Sequence, residues 1–205
     1  MIHPAANGRT DFDAGFSLIE MLITLVLILI MFTMLYGFGS RGEQQRRKRT
    51  CEKNLQNIYL ALDIYAKENN GALPSVTNAQ TSEAPLSLLV PRYTVASEIF
   101  TCPGSKDSAL PNGEAFADRR ISYAYFMGRR LTDANTVLMS DRQINALPKQ
   151  VGARVFSHDG KPPANNHSKF GGVFLFTDGR TESSGTNATF ALAWPTNVTF
   201  LNPRK

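Results

Sequence analysis

Gly15-Phe16-Ser17-Leu18-Ile19-Glu20, followed by Met21-Leu22-Ile23-Thr24-Leu25-Val26-Leu27-Ile28-Leu29-Ile30-Met31-Phe32-Thr33-Met34-Leu35-Tyr36-Gly37-Phe38-Gly39, decides how this chain is read. No residue from Met21 to Ser40 carries a charge. Twenty helical residues at about 1.5 Å each span roughly 30 Å, the thickness of a bilayer's hydrocarbon core. One carboxylate, Glu20, stands at the front edge of the run. A charge there is costly in lipid, so it needs a partner or a role. Judged by hydropathy, the stretch is an anchor helix and Glu20 marks its aqueous end.

The residues around Glu20 say more. Gly15, Phe16, the apolar pair Leu18-Ile19, Glu20 and the uncharged run behind them fall in one register. That register resembles the cleavage and methylation motif of type IV prepilins and type II secretion pseudopilins. The resemblance implies that a prepilin peptidase cuts between Gly15 and Phe16 and then methylates the new amino terminus of Phe16. It also implies that Glu20 pairs with the N-terminal amine of a neighbouring subunit in a growing filament. Such an amine is largely protonated at neutral pH. In low dielectric its attraction to a carboxylate is large, though partly offset by desolvation of both groups. A subunit out of register would leave a charge buried and unpaired.

Four segments follow. Residues 1–15 are expected to be a cleaved leader, with Ala14 before the Gly where prepilin leaders commonly carry Lys or Arg. Residues 16–40 are the transmembrane and filament-core helix, residues 41–70 its amphipathic continuation, and residues 71–205 a globular pilin-like domain. Gly37, Gly39 and Gly42 sit where the helix leaves the membrane. Each weakens a helix by about 1 kcal/mol relative to Ala, which makes a soft point there. Beyond it Leu55, Ile58, Leu62 and Tyr65 recur at helical spacing and define one apolar face. Asn69-Asn70-Gly71 with Pro74 ends the helix.

The formal net charge is +5. The excess is local: Arg41, Arg46, Arg47, Lys48, Arg49 and Lys53 lie just past the anchor, against Glu43 and Glu52. Residues 41–53 contain no aromatic residue to stack on bases, so the cluster reads as lipid-proximal and no nucleic-acid partner is expected. The positive-inside rule would put this cluster in the cytoplasm. The prepilin motif requires the reverse, and it is the more specific signal.

Ile121–Phe126, Thr136–Ser140 and Gly172–Phe176 are short, β-branched or aromatic runs bounded by turn formers and read as strands; Arg154–Phe156 and Thr196–Leu201 are weaker. Residues 75–120 read as loop with short helical turns, one of them at Leu86–Val90. The fold class is therefore α+β: a long N-terminal helix packed on a small antiparallel sheet. Tyr123, Tyr125, Phe126, Phe174, Phe176 and Phe190 are expected in the core, and Trp194-Pro195 is expected to cap the domain.

The two cysteines, Cys51 and Cys102, form either one disulfide in an oxidising compartment or two buried thiols. The wording from Cys51 to Pro74 and Phe100-Thr101-Cys102-Pro103 resembles pilin-like proteins of environmental bacteria. His167 followed by Asp178-Gly179 resembles the His…Asp-Gly signature of pilin-like proteins of planctomycete-type bacteria, with ten intervening residues where nine are usual. Three readings of this region stand side by side. Asp178-Gly179 makes a tight turn and Asn166 and His167 satisfy loop backbone. Alternatively Asp159, Asn165, Asn166 and Asp178 hold Ca²⁺ through oxygen ligands. In the third, His158, His167 and Asp178 form a transition-metal or catalytic site. No cofactor is established by these residues, and Ca²⁺ is the candidate carried forward.

There is no G-x-S-x-G, P-loop, dinucleotide fingerprint or H-E-x-x-H. The chain is expected to be a structural subunit, not an enzyme: a pseudopilin of a type II secretion system. A type IV pilus subunit is the neighbouring alternative. A membrane-anchored metal protein or enzyme with a prepilin-type anchor is the alternative of another class. The implied partners are prepilin peptidase, other pilin or pseudopilin subunits, an inner-membrane assembly platform and lipid. The implied location is the bacterial inner membrane, single-pass, with the C-terminal domain extracytoplasmic, and a filament after assembly.

Overall fold

The computed structural model describes residues 16–144, 152–189 and 195–205, without the side chains of residues 36–41. The leader through Gly15, Phe190 and Trp194 lie outside the described residues. Helix α1 runs from Leu18 to Glu68 and stays helical through Gly37, Gly39 and Gly42. The chain divides into two compact units between Gly42 and Glu43, so the second half of α1 belongs with the sheet.

In the first unit, Leu18–Leu35 has a mean hydropathy of 2.7 and none of it is buried.

In the second unit, five antiparallel strands form one sheet: β1 (Tyr123–Met127), β2 (Val137–Asp141), β3 (Gly172–Phe176), β4 (Thr181–Ser184) and β5 (Thr199–Leu201). Their order across the sheet is β4-β3-β2-β1-β5. Cys51, Leu55, Ile58, Leu62 and Ala66 form the buried stripe of α1, at steps of three or four residues. They share a core with Tyr123 and Tyr125 of β1, Leu138 and Met139 of β2, and Val173 and Leu175 of β3. Tyr65 packs at the edge of that core, and the deeper positions fall to Cys51, Ala61 and Ala66. Leu138 and Met139 face the same core because the β2–β3 register shifts between Val137 and Met139.

Alternate residues of the sheet build a second cluster on its other face: Ala124, Phe126, Val137, Val155, Phe156, Val198 and Phe200. The sheet is thus covered on both sides. Arg154 contributes only a single bridge to Thr189, not a strand.

Asn70 and Gly71 take positive φ, and the Gly71 N–H donates to the Ala66 carbonyl at 2.8 Å, which closes the end of α1. The loop after it carries one short helix, α2 (Glu83–Ser87), three residues ahead of the predicted turn, and a 3-10 turn at Ser97–Phe100.

Candidate functional site

Two regions carry unusual chemistry, one in each unit. In the first, Phe16 is 77% exposed and every large apolar side chain from Leu18 to Leu35 faces outward, down to 45% at Val26. Glu20 lies in the first turn of α1 and is exposed. An apolar surface all round a helix requires lipid or other helices around it.

In the second unit, the side chains of α1, the loop after the 3-10 turn, β2 and the loop before β3 converge on one buried point. Cys51 and Cys102 are joined in a disulfide with Cα atoms 5.6 Å apart. Their sulfurs, a carboxylate oxygen of Asp141 and a ring nitrogen of His167 all lie within 4.8 Å of one another. His167 Nε2 is 3.4 Å from Cys102 Sγ and 3.2 Å from Asp141 Oδ2. Both His167 and Asp141 are buried, at 0% and 1% exposure.

Asp141 is the acceptor at the centre. Its Oδ1 accepts from Asn166 Nδ2 at 2.9 Å and its Oδ2 from the Val173 N–H at 2.8 Å. Asn166 Nδ2 also donates to the Ser122 carbonyl. The Ser122 hydroxyl donates to Asp107 and receives the Cys102 N–H at 2.8 Å. Asp107 pairs with Arg142, whose guanidinium also donates to the Ile121 carbonyl. This chain of bonds fixes the Cys102 loop, the start of β1 and the loop before β3 against one another.

Lys48 is buried beside the sheet edge, and its Nζ donates to the Ser184 carbonyl at 2.8 Å. Burial lowers its ammonium from the usual lysine range, opposed in part by the charges of Asp141 and Glu52. A Cβ on Gly104 would come within 2.2 Å of the Asn166 carbonyl oxygen and 2.8 Å of His167 Nδ1, so only glycine lets this loop close over the ring.

The residues singled out in the sequence divide between two places. Asn166 and His167 belong to the buried network. Asp159 is exposed, held by the Ser157 hydroxyl and the Lys161 N–H, which lower its carboxyl from the ordinary aspartate range. Asn165 donates to the Gly160 carbonyl. Asp178 sits in the β3–β4 turn, where Gly179 has φ +83° and the Phe176 N–H bonds the Arg180 carbonyl at 2.9 Å. From Val173 at the Asp141 end, that turn lies roughly 15 Å away at about 3.4 Å per residue of strand. The four residues Asp159, Asn165, Asn166 and Asp178 are therefore not gathered around one point. Nor are His158, His167 and Asp178: His158 is exposed while His167 is buried.

Sequence reasoning missed Asp141. Its one signal was a carboxylate two residues after the apolar run Val137–Met139, at the end of a strand.

Residues 12–36 match the family described as the prokaryotic N-terminal methylation motif. Over 106 residues the chain is 23% identical to the ComG operon protein 3 homolog of Bacillus licheniformis, a span that covers 52% of this chain and 98% of that protein. No solved structure matches the chain. A prepilin motif ahead of an uncovered apolar helix, with a five-stranded antiparallel sheet beyond it, supports a type IV pilin-like protein. The motif implies processing by a prepilin peptidase and assembly with other pilin subunits, and among the described residues Leu18–Leu35 is the one helix long and apolar enough to cross a membrane.

Proposed function

We propose that this protein is a pseudopilin, a structural subunit of a type II secretion pseudopilus. The peptidase removes residues 1–15 by cutting between Gly15 and Phe16 and methylates the Phe16 amine. The helix of residues 16–40 then leaves the bilayer for the filament core, where copies of the same apolar surface cover it. Glu20 sets the register by pairing with the Phe16 amine of a neighbouring subunit. Residues 41–205 remain extracytoplasmic.

The observation that carries this reading is the methylation motif at residues 12–36 overlapping a helix whose apolar side chains have no cover. Lateral packing of such helices exchanges lipid contacts for helix contacts, so the charged pair supplies the specificity. The test is the intact mass and N-terminal residue of the protein purified from its own membrane. An N-methylated Phe16 terminus is expected, and Gly15→Ala should leave the full-length precursor. A Met1 terminus in the wild type would refute the processing. A type IV pilus subunit would share all of these steps. Deletion separates the two: loss of a secreted protein marks a pseudopilus, whereas loss of surface fibres with secretion intact marks a pilus.

A further inference from the structure

The buried cluster of Cys51, Cys102, Asp141 and His167 has no part in helix assembly, yet it gathers two sulfurs, an imidazole nitrogen and a carboxylate oxygen. We propose that reduction of the Cys51–Cys102 disulfide opens a Zn²⁺ site whose ligands are the two thiolates, His167 Nε2 and Asp141 Oδ2.

The geometry carries this. Tetrahedral zinc bonds of about 2.0–2.3 Å place ligand atoms about 3.3–3.8 Å apart along the edges. Cys102 Sγ to His167 Nε2 is 3.4 Å, and Nε2 to Asp141 Oδ2 is 3.2 Å. Two of the six edges are thus already near the required length. The remaining ligand atoms lie within 4.8 Å of one another, and the bonded sulfurs must separate by side-chain rotation above Cα atoms that stand 5.6 Å apart. Two thiolates with an imidazole select a borderline-soft ion over Ca²⁺ or Mg²⁺, which take oxygen ligands.

The surroundings suit a metal. Asn166 Nδ2 and the Val173 N–H hold the carboxylate in place, as outer partners of metal ligands do. His167 Nδ1 is buried with no hydrogen-bond partner among the described residues. Two thiolates and one carboxylate around Zn²⁺ leave one net negative charge, and the buried Lys48 ammonium lies within electrostatic reach of Asp141. A cavity of about 670 Å³ lies beside the cluster, lined by Gly104 and Asn166, the neighbours of Cys102 and His167.

The step balances as follows. A dithiol reductant delivers two electrons and two protons, the S–S bond breaks to two thiols, and the reductant leaves as a disulfide. Zn²⁺ then replaces the two thiol protons, which pass to solvent. The proton on His167 Nε2 is lost to solvent, and Nδ1 takes one up. A disulfide oxidant that takes up the two electrons, and two protons from solvent, leaves as a dithiol, re-forms the S–S bond and expels the ion, so the same four side chains alternate between a covalent staple and a metal staple.

The full chain in detergent is reduced with excess dithiol, desalted without oxygen, and titrated with Zn²⁺ and with Co²⁺. The expected result is one equivalent of Zn²⁺ per reduced chain and none per oxidised chain. Co²⁺ should show the thiolate charge-transfer and intense d–d bands of a tetrahedral site. His167→Gln should weaken binding at least about 100-fold, since loss of an outer partner already costs 10- to 100-fold. Cys51→Ser/Cys102→Ser should abolish binding while near-ultraviolet circular dichroism reports whether the fold persists. Bound Zn²⁺ should also protect both thiols of the wild type from alkylation. No stoichiometric uptake by the reduced wild type, folded or not, overturns the proposal. So does equal uptake by the oxidised protein or by His167→Gln.

Discussion

Asp141 to Ala is the perturbation that tests the buried network most directly. The carboxylate accepts from Asn166 Nδ2 at 2.9 Å and the Val173 N–H at 2.8 Å, with His167 Nε2 3.2 Å away. Asp141, Asn166 and His167 are all buried, so water does not replace the lost acceptor without opening the structure. Each buried donor left unpaired costs about 1–3 kcal/mol. Two of them give roughly 2–6 kcal/mol, the upper part reduced by whatever relaxation lets water in. A domain of this size is stable by about 5–15 kcal/mol, so the variant should be severely weakened. The matched control is Asp178→Ala at the exposed β3–β4 turn, where the loss of one bond to the Arg180 N–H should stay within about 1 kcal/mol. Asp141→Asn keeps the volume and one acceptor but turns an amide donor toward other donors, so it should fall between the two. The assay is urea unfolding of the detergent-solubilised, oxidised chain followed by near-ultraviolet circular dichroism. If Asp141→Ala costs less than about 1 kcal/mol, or no more than Asp178→Ala, the account of Asp141 as the centre of the domain's polar network is wrong.

Two other measurements probe the same unit. Cys51 and Cys102 are 51 residues apart, and releasing a loop of that length returns about 4 kcal/mol of chain entropy to the unfolded state. Cys51→Ser/Cys102→Ser should therefore lower the metal-free stability by about that amount, and a change below about 1 kcal/mol would contradict the loop-closure argument. Burial raises the phenols of Tyr123 and Tyr125 far above the usual tyrosine range, with the Asp141 charge adding to the effect at Tyr123 and the Tyr65 phenol at Tyr125. Unfolded tyrosines ionise near pH 10, so above that pH the native state holds more protons than the unfolded one and stability falls as pH rises, by about 1.4 kcal/mol per pH unit for each phenol. An absorbance titration should find these two phenols silent until the domain unfolds; ionisation of both in a folded domain would refute their burial.

Much of the architecture was legible because it rests on local periodicity. Cys51, Leu55, Ile58 and Leu62 carry a helical repeat, and the runs at Tyr123, Val137 and Gly172 carry strand chemistry, so α1, β1, β2 and β3 could be placed within two or three residues. Strand β4 could not. Thr181-Glu182-Ser183-Ser184 has no apolar residue, and it becomes a strand only because β3 presents an unpaired edge for it to bond. The second core behind the sheet was hidden for a related reason. Phe156, Val198 and Phe200 come from segments that read only as weaker strand candidates, and they meet only once the sheet exists.

The sequence by itself determined the N-terminal element: its motif, its length against a bilayer and its uncharged run are all local properties of consecutive residues. Only the tertiary structure decided which polar residues matter in the domain. Cys51, Cys102, Asp141 and His167 are scattered over more than half of the chain and share no spacing rule. Asp159 and Asp178, which stand out in a hydrophilic loop and a Gly turn, remain at the surface where water satisfies them. Burial is what makes a carboxylate or an imidazole consequential, because a polar group removed from water must find its partners inside the protein. Burial is set by how α1, the loops and the sheet close on one another, a long-range property that no window of the sequence contains.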